Sequence, residues 1–209
     1  MPSTVVHLAL AGLLAAGLLG RAFGPRAVAV VFAATAIPDL DVFAGLLVAG
    51  THRAALHTLL WPALAALLVW WDVNREDSWL RGAYGDWGVR VAWVSILCVV
   101  VAGIGLDLVG AGANLLYPVV DQFYMLQGTL ELSTQRGLVQ TFVEFGESAG
   151  PKAIGSTQEV HIRSGVDPTR GAEPENVDRV FPVARSGWQL LLIVAGAIVV
   201  GGRLAERRP

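Results

Sequence analysis

Seven ionisable side chains lie within or beside apolar stretches of the chain, where such groups are costly and usually functional. They are His7, Asp39, Asp41, His52, Arg53, His57 and Asp107. Imidazole nitrogens and carboxylate oxygens are the ligands of zinc, manganese and iron in proteins. Three histidines and three aspartates exceed the needs of one tetrahedral ion. The residue types therefore point to a divalent-metal site, with zinc favoured, manganese as the alternative, and room for more than one ion.

The residues of this set differ in the roles they can take. The candidate metal ligands are His7, Asp39, Asp41, His52, His57 and Asp107. Pro38 interrupts a helix, so Asp39 and Asp41 can approach one site from an irregular turn. Either carboxylate can act as general base. Arg53 stays protonated and is no ligand, but its guanidinium suits a phosphate or carboxylate oxygen of a substrate.

Most of these residues also have a purely structural explanation, although Asp41 has none. Asp39 can cap a half-helix, and His7 can pack at the membrane interface. His57 can form an interhelical hydrogen bond. Asp107 can cap a helix or pair with Arg53. All of these explanations must hold together if no site exists.

The composition indicates what kind of chain carries these residues. Hydrophobic residues make up 54% of the 209 residues and charged residues 15%, against about 25% charged in soluble domains. This excludes an ordinary soluble domain and a disordered chain. A net charge of −2 provides no positive field for nucleic acid. Cys98 is the single cysteine, so an internal disulfide and a cysteine-based zinc site are also excluded.

The apolar residues concentrate in blocks, and crossing a bilayer takes about 20 such residues. The blocks are Val5–Gly20, Ala27–Gly50, Ala54–Trp71, Val89–Val109 and Trp188–Gly202. The pattern predicts an all-α polytopic membrane protein with about five membrane-crossing helices, the second broken at Pro38–Asp41. The N-terminal block lacks a preceding basic segment and is interpreted as a retained span.

A soluble, partly β insert is expected between the last two spans, because residues 111–187 hold nine of the 17 acids. Thr129–Phe145 is typical of a hairpin with its turn near Gln135–Gly137, and Gln158–Arg163 is a second strand-like run. Gly165–Glu175 is expected to be a loop. We divide the chain into a membrane-embedded domain at 1–125, an acidic insert at 126–186, and a last helix with a basic tail at 187–209.

The arginines predict the orientation. With five crossings, eight arginines of the short loops and the C-terminus fall on one side: Arg21, Arg26, Arg75, Arg81, Arg90, Arg203, Arg207 and Arg208. Such an excess is typical of the cytoplasmic side. The C-terminus is then cytoplasmic in the cell membrane, and the insert is extracytoplasmic. In this topology four segments bring their His and Asp residues to the outer membrane face.

Several short motifs resemble those of a known family. Met1–His7, Pro38-Asp-Leu-Asp41, His52-Arg-Ala-Ala-Leu-His-Thr58, and Leu106-Asp107 followed by Leu116-Tyr-Pro118 are the matching segments. Together they resemble the YdjM-type membrane-bound, metal-dependent hydrolases, also described as LexA-binding, inner-membrane-associated hydrolases. The resemblance covers residues 1–125. It implies a metal-dependent hydrolase, and its likeness to zinc-dependent phospholipase C and P1 nuclease implies a phosphoester substrate.

One position departs from the family pattern. Members often carry a histidine about one turn before the late aspartate, whereas this chain has Ala102-Gly-Ile-Gly-Leu106 there. His161 of the insert is the candidate to replace it. The expected function is phosphoester hydrolysis, with a small molecule or a lipid head group of the bilayer as substrate. The insert is expected to cap the site or to bind a protein partner. The alternatives are a non-enzymatic membrane scaffold and a proton or cation transporter.

Overall fold

The structure is a computed structural model that describes residues 2–43, 51–143, 151–162 and 180–207. The helices are α1 (Thr4–Leu18), α2 (Pro25–Ala36), α3 (Leu60–Val73), α4 (Trp79–Gly110) and α5 (Gly187–Ala205). Two short 3-10 helices, Gly20–Ala22 and Pro38–Val42, follow α1 and α2. Helix α4 is interrupted at Gly85, which has φ +62°, and continues to Gly110.

The prediction of about five membrane-crossing helices is wrong. In the described part of the chain two helices are long and apolar enough to cross a membrane, α4 with 32 residues and α5 with 19. Helices α1, α2 and α3 have 15, 12 and 14 residues. A rise of 1.5 Å per residue makes them about 18 to 23 Å long, against a hydrocarbon core of about 30 Å.

The short helices have local causes. Pro38 has no backbone N–H to continue α2, and the chain enters a 3-10 turn there. The block expected to begin a span at Ala54 forms turns and bends over residues 51–59, and α3 starts only at Leu60. Apolar composition alone did not distinguish these turns from helix.

Helices α1 and α5 run side by side in the same direction. Ala9 lies against Gly196, where an added Cβ would be 2.8 Å from the Ala9 carbonyl oxygen. Helix α4 runs the opposite way, with Gly110 against Pro2 and with Trp87 donating from Nε1 to the Ala22 carbonyl at 3.1 Å. The buried core between them consists largely of small residues such as Ala11, Ala15 and Ala102. Small residues of this kind let helix backbones approach closely.

The bundle has two ends of different character. We call the end that holds Pro2, the Pro38–Val42 turn and Asp107 the site end. We call the opposite end, which holds the end of α1 and the end of α5, the arginine end. There Arg203 donates to the Ala16 carbonyl and lies 4.6 Å over the Phe23 ring. Arg207 donates to the Gly20 carbonyl at 3.1 Å.

The insert is partly β, as expected. Strands β1 (Ala113–Asn114), β2 (Phe123–Met125) and β5 (Lys152–Gly155) form an antiparallel sheet in the order β1-β2-β5. Strands β3 (Leu130–Ser133) and β4 (Gly137–Gln140) form the predicted hairpin, with Ser133 paired to Gly137. The division of the chain at residues 125 and 186 stays a prediction.

The prediction of a strand at Gln158–Arg163 is wrong for residues 158–162, which are the part of this run that the structure describes. Residues 157–159 form a turn, and no strand follows before residue 162. The Glu159 carboxylate accepts a hydrogen bond from the Ser156 backbone N–H at 2.9 Å. Local side-chain bonds of this type compete with strand pairing. The loop expected at Gly165–Glu175 lies outside the described residues.

Candidate metal centre

Asp107 is presented by an irregular part of α4. Residues Val99–Gly105 form a π-helical segment directly before it. Such segments are rare and occur often at functional sites. Gly103 lies within this segment, and a Cβ there would be 3.4 Å from both Pro38 Cγ and the Thr35 carbonyl oxygen. The glycine therefore lets α4 pack directly on the turn that carries Asp39 and Asp41.

The Pro38–Val42 turn separates its two carboxylates. Asp41 is fully buried, whereas Asp39 is half-buried. Thr4, in the first turn of α1, donates a hydrogen bond from its hydroxyl to Asp39 Oδ2. Because α1 also carries His7 one turn later, the N-terminal helix positions both a ligand candidate and the partner of another.

Residues 51–59 supply the remaining groups. Arg53 has φ +62°, a left-handed conformation that is uncommon for a residue with a side chain. Its carbonyl accepts from the Asn114 N–H at 3.0 Å, and the Leu59 N–H donates to the Leu115 carbonyl at 2.8 Å. These bonds hold the segment against the chain around β1. They bury the Arg53 and His57 side chains almost completely.

Asp107 is the hub of the buried polar groups. Its Oδ1 accepts from Arg53 Nη2 at 2.6 Å and lies 3.4 Å from His7 Nε2. Its Oδ2 is 2.8 Å from His57 Nε2. The other ring nitrogen of His57, Nδ1, is 2.7 Å from Asp41 Oδ2.

Both nitrogens of His57 therefore face carboxylates. Burial lowers the pKa of His57, but the hydrogen bonds and charges of Asp107 and Asp41 outweigh burial and raise it to about 9. In this arrangement His57 orients Asp107 and is itself oriented by Asp41. Carboxylates that bind metals are commonly held by hydrogen bonds of this kind from a second layer of residues.

Three side chains bring their ligand atoms close together: one atom each from His7, Asp39 and Asp107, all within 4.8 Å of one another. We call these three residues the triad. Imidazole and carboxylate are both zinc-ligand types, and three protein ligands are the number that catalytic zinc sites use, which leaves a coordination position open. His7 Nδ1 is buried and has no hydrogen-bond partner among the described residues. Such an atom is costly unless something satisfies it, which fits a bound cation.

Not every expected ligand lies in the triad. His57 and Asp41 lie behind Asp107, as described above. His52 lines the neighbouring cavity and is not a member of the triad. His161, expected to replace a missing histidine, is exposed and does not line the cavity. The position one turn before Asp107 is Gly103, where an added Cβ would lie 3.4 Å from Pro38 Cγ and from the Thr35 carbonyl oxygen.

A cavity of about 290 Å³ opens at the triad. Asp39 and Asp107 line it together with Arg53, His52 and His57. Most of the rest is apolar and comes from the start of the chain, from the residue after Asp41 and from the segment before α5: Pro2, Val5, Val42, Phe181, Pro182 and Val183, with Ser3, Thr4 and Arg185 as the remaining polar residues. Ligand sites commonly combine a mostly apolar lining with a few convergent polar groups.

Sequence reasoning missed several residues of this site. Thr4, Asn114 and the Phe181–Arg185 segment carry no ligand chemistry that would single them out. The π-helical segment had a weak signal in the two glycines before Asp107, which can be read as ordinary packing. Arg53 was identified, but its left-handed backbone could not be read from its type.

The two long apolar helices and the buried His–Asp cluster together define the class as a membrane protein with a candidate metal centre. A sequence model of the YdjM inner membrane protein family matches residues 1–162, more than half of the chain. The chain therefore belongs to the YdjM inner membrane protein family, and it is a membrane protein. Comparisons with curated proteins and with solved structures gave no match. The matched region ends before the Phe181–Arg185 segment and α5.

Proposed function

We propose that this protein is a metal-dependent hydrolase acting on a phosphoester, with zinc favoured as the ion and manganese as the alternative. One observation carries the proposal. His7, Asp39 and Asp107 bring their ligand atoms together at a cavity that Asp39, Asp107 and the buried Arg53 line. Lewis-acid chemistry towards a phosphoryl group is what a divalent ion held by these residues would supply.

Arg53 is suited to bind the substrate anion. Its Nη2 is used by Asp107, but its Nη1 is buried and has no partner among the described residues. A buried, unsatisfied guanidinium nitrogen beside a cavity favours an anionic oxygen, and phosphate matches the guanidinium fork. Asp107 prevents the guanidinium from being a wholly uncompensated charge when no substrate is bound.

The carboxylates take different roles in this proposal. Asp39 lines the cavity and is the better candidate for general base, since Asp41 is fully buried and does not line it. In hydrolysis, the oxygen of water bonds to phosphorus while the ester P–O bond breaks. Asp39 accepts the proton of the water, and the departing alkoxide takes up a proton as the alcohol. Asp41 acts through His57 to hold Asp107.

The arrangement of the helices supports a topology. Helix α4 starts at the arginine end and α5 finishes there, so two crossings place the residues directly before α4 and the C-terminus on one side. Arg75, Arg81 and Arg207 lie on that side. We place this side in the cytoplasm by the excess of arginine, and the insert and the site at the outer face.

A non-enzymatic scaffold is the second candidate. Arg53, Asp107, His57 and Asp41 form a hydrogen-bonded network in which most of their polar atoms have partners. Such a network can have a purely structural role. A protein partner of the insert would fit this alternative.

Phosphate release separates the two. The purified protein, supplied with zinc or manganese, is assayed on a panel of phosphate monoesters and diesters. Asp39→Asn removes a triad charge with little change of shape, and Asp86→Asn makes the same change at an exposed position of α4. We expect turnover in wild type and Asp86→Asn, and a loss of about 100-fold or more in Asp39→Asn. Bound metal without turnover on any ester would favour the scaffold.

A further inference from the structure

The cavity has two chemically different sides. Its polar side consists of Asp39, His52, Arg53, His57 and Asp107, and Ser3, Thr4 and Arg185 add further polar groups to the lining. Its apolar side consists of Val5, Val42, Phe181, Pro182 and Val183. A small, fully hydrated phosphoester would use the first side and gain nothing from the second.

The apolar side reaches the outer surface of the protein. Phe181 is 73% exposed, Val183 56% and Val5 42%, although each also lines the cavity. These apolar side chains continue from the cavity to the surface, so an apolar group that leaves the cavity there stays in contact with them. The part of a ligand's alkyl chain that extends beyond the cavity can thus remain in contact with protein or with lipid.

The segment that carries Phe181 is fixed to the bundle. Ser3 donates from its hydroxyl to the Val183 carbonyl at 2.6 Å. The Arg185 N–H donates to the Gln189 side chain in the first turn of α5 at 2.7 Å. Two residues after Arg185 comes Gly187, where α5, a candidate membrane span, begins. The apolar side of the cavity therefore lies at the level where a span starts.

We propose that the substrate is an amphiphile, with its phosphoester at Arg53 and the triad and its apolar chain along Phe181–Val183. This inference rests on the proposed function. The volume of about 290 Å³ lies at the lower limit of ligand pockets, about 300 Å³. It therefore takes the head group and the first methylenes, and the remainder of the chain leaves along the exposed apolar residues. Phe181–Val183 lies outside residues 1–162, so this selectivity belongs to a part of the chain beyond the family match.

Binding of alkylphosphonates tests the inference without requiring hydrolysis, because their C–P bond is not an ester. The dissociation constants of methyl-, propyl- and hexylphosphonate are measured with the full-length protein in detergent and zinc. Each methylene that contacts the apolar side should tighten binding about fourfold, until the chain passes Phe181. Phe181→Ser should remove most of this gain. Leu132→Ser, at an 84% exposed position of the insert hairpin, should leave it unchanged.

Each outcome has a distinct meaning. Equal dissociation constants along the series would overturn the proposal of an amphiphilic substrate. A gain in affinity with chain length that survives Phe181→Ser would overturn it as well. Ethyl phosphate and hexyl phosphate are then compared as substrates in the same preparation. Turnover of both esters at the same rate would support the proposed hydrolysis and contradict a binding site for the alkyl chain at Phe181–Val183. Chain-dependent phosphonate binding with turnover of neither ester contradicts the proposed hydrolysis and leaves the amphiphile site standing.

Discussion

The two ends of the helical bundle treat charge in opposite ways. At the arginine end, Arg203 and Arg207 reach carbonyl oxygens at the end of α1 and lie beside the Phe23 ring. Cations at a helix C-terminus satisfy carbonyls that lack intrahelical partners. At the site end, Arg53, His57 and Asp107 are almost wholly buried and contact one another.

The charged groups of the arginine end stabilise helix ends, whereas those of the site end are buried at a cost in free energy. The arginine end keeps its guanidinium groups near water and gives each a structural role. The site end buries two carboxylates, Asp41 and Asp107, together with one guanidinium, at positions where apolar residues would pack with less cost. Such an arrangement indicates function, and the predictions below test the contrast from its largest expected effect to its smallest.

Removing the hub of the site end should have the largest effect. Asp107→Ala leaves Arg53 buried without its charge partner, which should lower the free energy of unfolding by about 3 to 5 kcal/mol. Unfolding in mixed detergent micelles measures it, and the exposed Asp86→Ala is the control. The double variant Asp107→Ala/Arg53→Met should recover part of the loss. If Asp107→Ala unfolds with the same free energy as wild type, the Arg53–Asp107 pair does not stabilise the fold.

Asp41→Asn tests the layer behind the triad. The amide cannot accept from His57 Nδ1 with the strength of a carboxylate, so His57 and then Asp107 lose their orientation. Metal affinity should fall by about 10- to 100-fold with the fold retained. A competition titration against a zinc chelator gives the affinity, and circular dichroism checks the helices. Unchanged affinity would remove Asp41 and His57 from the metal centre.

Helix packing between the two ends provides a matched glycine pair within α5. Gly196 faces Ala9 of α1 at backbone distance, whereas an added Cβ at Gly201 meets nothing within 4 Å. Gly196→Ala should cost about 1 to 3 kcal/mol through overpacking. Gly201→Ala should be neutral or slightly stabilising, because alanine has the better helix propensity. Equal effects of the two changes would contradict the close contact of α1 and α5.

The smallest effect is expected at the arginine end. Arg207→Ala removes exposed hydrogen bonds to Gly20 and Arg21 carbonyls. The free energy of unfolding should change by less than about 0.5 kcal/mol. The same unfolding assay applies. A loss as large as that of Asp107→Ala would erase the contrast between the ends.

Residue type was a better guide to the clustered side chains than apolar composition was to the membrane topology. His7, Asp39 and Asp107 were among the six candidate ligands that residue type alone suggested, and their role as metal ligands stays a prediction. The Pro38 break and the hairpin after Thr129 also followed from residue type. Helix length did not, because apolar residues continue through the turns at 51–59, where hydrogen bonds to Asn114 and Leu115 fix the backbone. Those long-range bonds carry no local sequence signal.

The π-helical segment is a second feature that could not be predicted from the local sequence. It contains Gly103 and Gly105 and packs against the turn at Pro38, a contact between residues far apart in the sequence. The role of His57 likewise depends on two carboxylates that lie 16 and 50 residues away. Only the folded chain shows that its ring nitrogens are used by Asp41 and Asp107, so its assignment as a ligand could not be refined from sequence.

Metal content tests the central claim most directly. Wild type, Asp39→Asn and Asp86→Asn are purified in detergent without chelator, reloaded with zinc or manganese, freed of excess metal and measured by elemental mass spectrometry. We expect about one or more equivalents per chain in wild type and Asp86→Asn, and a loss of most of it in Asp39→Asn. No retained metal in wild type, or equal retention in Asp39→Asn, would contradict a metal centre at His7, Asp39 and Asp107.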